Sequence, residues 1–271
     1  MKVNSKITLQ SYLMNNIKTI AIIGASHGQK CLYEKAREMG LRIIGFAWDK
    51  GILTEDLYDE FYEISVKDTD GIVDICKGLQ IDGVVTNASE FLMPLAASVA
   101  ERLGLPCTPS GVISVIQDKE MVRELTEGIH GLTSPEHHAY KEGMTVTYPC
   151  VVKPVKGAAK KGVSYCKNKE DVLEAVAYAG GTGERILIEE YIPGREISVE
   201  SLSYNGQHTI VQITDKDSSG PPHFVELGHH QPSSVSEENK ERIKKCIRFI
   251  LDAVGFTNGA TQPLFPIGEW S

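Results

Sequence analysis

From Lys18 to Pro109 the chain alternates short apolar runs with amphipathic stretches. KTIAIIG (18–24) is a β-branched run ending in glycine and predicts a buried strand. After the turn GASHGQK a helix is expected from about Gln29 to Met39, closed by Gly40. LRIIGFAWD is a second strand. FYEIS, DTDGIVDICKGLQ, IDGVVT and FLMPLAASVAERLG continue as strand, helix, strand and helix. Strands taking turns with helices predict a parallel sheet. Right-handed crossovers then give a doubly wound α/β layer. The proline-rich stretch LPCTPSG (105–111) breaks the pattern and predicts a domain junction. The expected division is 1–110 and 111–271.

The second part reads as α+β. VISVIQDKEMVRELTEG predicts helix, with a break near Asp118 and Lys119. CVVKP (150–154) is a strand with Lys153 at its end. A loop of small and basic residues follows, then a short strand over 163–166. Asn168 caps a helix whose apolar face is Val172, Leu173 and Val176, and Gly180, Gly181 and Gly183 end it. RILIE (185–189) is a strand leading into Glu190-Tyr191-Ile192-Pro193-Gly194, expected to be a hinge. Ile197–Tyr204 and Gln207–Thr214 flank Asn205-Gly206, which predicts a hairpin with a type I′ turn. Ser234 and Glu237 form a capping box for a helix to about Val254, with Ile243, Ile247, Ile250, Leu251 and Val254 on its buried face and Gly255 at its end.

Composition narrows the function. The chain has 271 residues and a net charge of −8, which argues against non-specific nucleic-acid or anionic-membrane binding. The N-terminus lacks the apolar run of a signal peptide, and no apolar run approaches the ~20 residues of a membrane helix. The six cysteines (31, 76, 107, 150, 166 and 246) are scattered, with no CxxC and no histidine cluster, as expected of reduced thiols in the cytoplasm.

Two turns carry candidate chemistry. Gly24–Lys30 is not GxGxxG, which argues against a dinucleotide oxidoreductase. It also fails the phosphate-loop template, because Gly28 comes one place early and Cys31 replaces Ser or Thr. It reads either as a tight turn needing small residues or as a ligand lining with Ser26, His27 and Gln29 as contacts. Asp49 and the turn 86–90 also lie at strand C-terminal ends. The second turn is stronger. A lysine at the end of a buried strand is costly unless it faces an anion, which singles out Lys153. In the following loop, Lys156, Gly157, Ala158, Ala159, Lys160, Lys161 and Gly162 combine small residues with positive charge. Small residues let backbone N–H groups approach a phosphate.

Lys119, then VVKP, then a small-residue loop ending in Gly-Val, then IEEYIPGREISVE, occur in the order found in the ATP-grasp superfamily. The chain from about Ile20 to Thr261 resembles the carbamoyl-phosphate-synthase-like and L-amino-acid-ligase-like carboxylate–amine ligases. The resemblance implies a pre-ATP-grasp domain followed by an ATP-grasp domain, with a lid at about 130–190 and a C-terminal lobe over 191–271. It implies that Lys119 and Lys153 contact ATP phosphates and that Lys156–Gly162 closes over them. The main chain of Glu190 and Ile192 would meet adenine beside Tyr191. Glu189 would orient the nucleoside, and Glu196 would accept from the ribose hydroxyls. It places Glu226, His229 and His230 on the acceptor-substrate side, although adjacent histidines on a strand make a poor metal site because their side chains diverge. The implied activity is ATP-dependent ligation of a small-molecule carboxylate and amine through an acyl phosphate, and the resemblance is compatible with a homodimer.

The family pattern continues after GFTNGAT with a histidine and a glutamate that starts the magnesium site. Here Leu264 aligns with that first carboxylate, and Glu269 is the only later acid. The expectation is therefore a C-terminal lobe lacking its last strand, an edge exposed by that loss, and no Mg2+ ligands in this chain. The competing reading is a nucleotide-binding protein or fragment that is catalytically impaired.

Overall fold

The structure, a computed structural model, describes residues 17–129, 132, 134–181 and 183–267. The chain divides into two compact units, 1–111 and 112–271.

In the first unit, strands β1 (Thr19–Ile23), β2 (Arg42–Ala47), β3 (Glu60–Glu63) and β4 (Gly83–Val85) form one parallel sheet in the order β3-β2-β1-β4. Helix α1 (His27–Glu38) packs on one face, where Tyr33 and Ala36 meet Ile22 and Ile43. Helices α2 (Thr69–Leu79) and α3 (Leu92–Arg102) pack on the other, where Ile72, Val73, Ala96 and Val99 meet Ala21, Ile23, Ile44 and Phe46. Both faces of β1 and β2 are covered, which is why their sequences are nearly continuous apolar runs rather than alternating ones. The strand order reverses direction between β1 and β4, where open parallel sheets gather ligand groups. Helix α1 starts at His27, two residues before the expected position. Ser26 is its N-cap, and Gln29 completes a capping box.

In the second unit the long helical stretch is broken in two, α4 (Ser110–Ile116) and α5 (Lys119–Thr126). Asp118 ends the run and restarts it, because its carboxylate accepts from the Met121 amide as the N-cap of α5. Strands β5 (His137–Ala139), β6 (Cys150–Pro154), β7 (Ser164–Cys166) and β8 (Ile186–Glu190) make an antiparallel sheet in the order β5-β8-β6-β7. Helix α6 (Lys169–Gly180) buries Val172, Ala175 and Ala179 against Cys150, Val152, Cys166 and Ile188 of this sheet. Strand β5 has no counterpart in the sequence reading. Its three residues are too few for a period-2 signal.

A second antiparallel sheet contains β9 (Arg195–Tyr204), β10 (Gln207–Ser218), β11 (Glu226–His230), β12 (Gly259–Thr261) and β13 (Leu264–Ile267). Its order is β11-β10-β9-β12, with β13 also on β9. Asn205 and Gly206 both have positive φ, as a type I′ turn requires. Strand β10 runs on past the expected end at Thr214, because β11 pairs with Asp215–Ser218. Helix α7 (Glu237–Ala253) buries Ile243, Ile247, Ile250 and Leu251. Its N-cap is Ser236, not Ser234. The Ser234 amide and hydroxyl both donate to the Asp215 carboxylate, so that side chain is committed elsewhere. Beyond the expected hairpin, Leu264 pairs with Ser198 and Ile267 with Arg195, so this side of β9 carries a strand. Glu269 lies outside the described residues.

Candidate nucleotide site

Strand β6 brings Lys153 opposite Leu187 of β8, and Val151 opposite Glu189. The Lys153 ammonium forms an ion pair with the Glu189 carboxylate. Glu189 is almost fully buried, at 6% side-chain exposure, and Arg123 of α5 also reaches it. Arg123 Nε donates to Glu189 Oε1 at 3.2 Å and its Nη2 to Oε2 at 3.5 Å. Burial pushes the Glu189 carboxyl up, but Lys153 and Arg123 more than offset this, and it stays below its ordinary value. Burial lowers Lys153 from 10.5 to about 8; Glu189 opposes the shift, and the neighbouring cations Arg123 and Lys119 add to it.

Lys119 is the first residue of α5. Its ammonium donates to the carbonyls of Val155 and Gly157, both at 3.3 Å, so it rests on the backbone of the small-residue loop. Its own amide donates to Val155 O at 3.1 Å. In that loop Gly157 has φ +149° and Gly162 +78°, conformations that suit glycine, and Ala159 and Lys160 are also left-handed at 52° and 55°. The Lys160 ammonium pairs with Glu196 at the start of β9. The loop is thereby tied back to an acid 36 residues away. Lys156 lies on the same loop.

At the hinge, the Glu190 amide donates to Glu136 O at 2.8 Å and the Tyr191 amide to Pro149 O at 3.2 Å. Tyr191 meets Tyr165 edge-on, with ring centroids 4.7 Å apart, and stacks on Phe224 at 6.1 Å. Further along β9, Glu200 accepts from Ser198, Thr214 and Gln262. Burial pushes this carboxyl up, but those donors outweigh it and hold it below its usual range. On the next strand Lys216 is buried at 3% side-chain exposure. Its ammonium lies 3.3 Å from Glu226 and 2.8 Å from His229 Nε2. His229 and His230 turn opposite ways, as adjacent strand residues must, and His230 bonds Asp217 instead.

The residues singled out from sequence therefore fall into distinct groups. Lys153 is joined to Glu189, Lys160 to Glu196, and Lys119 to the loop backbone; Glu226 and His229 share Lys216. Ser26 and His27 belong to the first unit, at the N-terminus of α1. There the Ser26 hydroxyl donates to Gln29 Oε1 at 2.5 Å, and Gln29 Nε2 donates to Asn87 O at 2.5 Å. A Cβ on Gly28 would lie 2.7 Å from the Ala88 Cβ, and one on Gly24 2.7 Å from Leu92, which explains the small residues of this turn. Sequence reasoning missed Arg123, Phe224 and Lys216. The signal for Arg123 was its spacing of four from Lys119, which puts both on one face of α5; Phe224 and Lys216 carried no local signal. Among the described residues no group of three or more His, Cys, Asp or Glu side chains is placed to hold a metal ion.

A doubly wound unit followed by two antiparallel sheets, with a strand-end lysine, a glycine loop and a hinge between them in sequence, defines the class of fold. Residues 146–262 match the family model described as "ATP-grasp domain". The match covers a little under half of the chain, and it is this stretch that is similar to ATP-grasp domains. The chain is similar to the formate-dependent phosphoribosylglycinamide formyltransferase of Methanocaldococcus jannaschii, with 23% identity over 90% of this chain and 64% of the relative. The structure of an L-amino acid ligase from Bacillus licheniformis superposes with a TM-score of 0.78 at 24% identity, over 92% of this chain and 63% of that one. The N5-carboxyaminoimidazole synthetase from Staphylococcus aureus complexed with ADP superposes with a TM-score of 0.73 at 19% identity, over 92% and 66%. The chain spans about three-fifths of the length of the curated relatives it matches.

Proposed function

We propose that this chain binds ATP on its ATP-grasp domain and belongs to an enzyme that ligates a carboxylate to an amine through an acyl phosphate. The observation that carries the reading is the buried strand-end Lys153. It shares the Glu189 carboxylate with Arg123, close to a loop on which Lys119 also rests. This arrangement places two cations on one carboxylate, with a third, Lys119, on the neighbouring loop, and a nucleoside polyphosphate supplies the missing negative charge. Lys153 and Lys119 meet the phosphates, and the 156–162 loop covers them. Because the Glu190 amide already donates to Glu136 O, the purine edge is met by the Glu190 carbonyl and the Ile192 amide, with Tyr191 beside the ring. Glu196 exchanges Lys160 for the ribose hydroxyls.

In the reaction, a carboxylate oxygen attacks the γ-phosphorus of ATP and ADP leaves. An amine then adds to the acyl phosphate, an amide forms, and inorganic phosphate leaves with the amine proton lost to solvent. Positioning and electrostatics supply most of the catalysis. Glu226 and His229, held by Lys216, face the acceptor; Ser26 and His27 are assigned to substrate in the first unit. A cytoplasmic setting accords with six free cysteines. The partners are small molecules, and a homodimer is checked by sedimentation.

Calorimetry tests the binding. ATP should bind the chain, and Lys153→Ala should weaken it at least ~10-fold. Equal affinity in the variant would remove this site from the reading. Turnover is measured separately, as ADP release with carboxylate and amine pairs.

A further inference from the structure

We infer that Arg123 is a positioning residue of the nucleotide site: by holding the Glu189 carboxylate from the side, it leaves the Lys153 ammonium with positive charge to offer a phosphate. The inference rests on the ATP reading above. It begins with the charges. Glu189 carries one negative charge, and Lys153 and Arg123 carry one positive charge each. If Lys153 and Glu189 were alone they would form a closed pair with little pull on an anion. With Arg123 present the cluster has one cation in excess, in surroundings where the three side chains are 13%, 6% and 26% exposed. Weakly solvated excess charge attracts a counter-ion more strongly than the same charge at the surface.

The geometry divides the carboxylate between the two cations. Arg123 approaches with two nitrogens, Nε to Oε1 and Nη2 to Oε2. Lys153 takes Oε2. Guanidinium is always charged and presents a planar fork, so Arg123 keeps its hold while the lysine can swing towards a ligand oxygen. The charged groups facing Lys153 are Glu189 from β8 and Arg123 and Lys119 from α5. The acids of the first turn of α5 do not compete for these cations, since Asp118 and Glu120 both pair with Arg185. Arg123 is thus a cation that touches no part of the proposed ligand and acts through Glu189.

The consequence is a specific titration. With Arg123 removed, Glu189 serves Lys153 alone, and the ammonium holds its proton to higher pH. The test follows the Lys153 side chain by NMR in the nucleotide-free protein, its signal assigned by its loss in Lys153→Met. In the wild type the midpoint should lie near 8. In Arg123→Leu, and in Arg123→Gln, which keeps a hydrogen bond to Glu189 without charge, it should rise by about one pH unit. Arg123→Lys should leave it near the wild-type value. ATP affinity at pH 7 should fall ~10-fold in the two neutral variants and by less in Arg123→Lys. A midpoint that stays in place in folded Arg123→Gln would overturn the inference, as would ATP affinity equal to wild type in that variant. A midpoint that moves as expected while the wild type itself fails to bind ATP would overturn the nucleotide reading and leave the charge arrangement standing.

Discussion

Two turns in this chain look alike on paper and differ in what they do with their polar groups. Each follows a buried strand and contains small residues. In the first, after β1, Ser26 and Gln29 cap the helix that the turn opens, and Gln29 reaches Asn87 across the sheet end. Gln29 is only 2% exposed, and its bonds join neutral groups. In the second, after β6, the partners are charges from distant strands: Glu189 for Lys153, and Glu196 for Lys160, each 36 residues away. Neutral bonds fix the first turn to its helix and to Asn87 and leave no charge over. Ion pairs with an excess of cations hold a turn in place while leaving charge that an anionic ligand can take. The presence of glycine is common to both and decides neither.

The comparison can be broken or sharpened by experiment. The largest effect is expected at Glu189. Glu189→Ala leaves Lys153 and Arg123 facing each other in a buried site, and should destabilise the protein by about 3–5 kcal/mol in urea unfolding. A loss of under about 1 kcal/mol would mean that solvent already screens the cluster. Next is the pH dependence of ATP binding. Lys153 titrates near 8, so affinity should fall ~10-fold between pH 7 and pH 9 in wild type, and barely change in Lys153→Ala. The same depressed value has the opposite sign for folding. The unfolded lysine keeps its proton to about 10.5, so from about 8 to 10.5 the unfolded state binds more protons and stability gains from Lys153 as pH rises.

The first turn should answer differently. Gln29→Ala should cost about 1–2 kcal/mol in thermal unfolding, through the lost cap and the unsatisfied Asn87 carbonyl, and should leave ATP affinity unchanged. A changed affinity would give the first turn a share in the nucleotide site. The smallest effect belongs to the loop tether. Lys160→Met frees Glu196 for ribose, so adenosine, which lacks phosphates, should bind ~2–3-fold tighter. Weaker adenosine binding would show that Lys160 supports the ribose contact.

The resemblance to ATP-grasp proteins was legible because Lys119, Lys153, the loop and the IEEYIPGRE segment occur in order, and that order survives in the fold. Strand β5 and the cap of α7 were not legible. The first is too short to show a period, and the second depends on Asp215 drawing Ser234 away from the helix end. The break between α4 and α5 was half legible: Asp118 is a good cap by type, but its commitment to Met121 is a matter of backbone geometry.

The alternation of apolar runs was by itself enough to determine the doubly wound sheet, since a strand covered on both faces must be apolar throughout. The residue types of the second turn determined that it was cationic. Only the tertiary structure decided which charges answer which. Lys153 could have faced solvent, and Glu189 could have been one more surface acid. Strand pairing of β6 with β8, and the docking of α5 beside them, put Arg123, Lys153 and Glu189 within hydrogen-bonding distance. Burial there lowers the lysine and makes the pairing strong, and burial is a property of the folded chain, not of the residues taken in order.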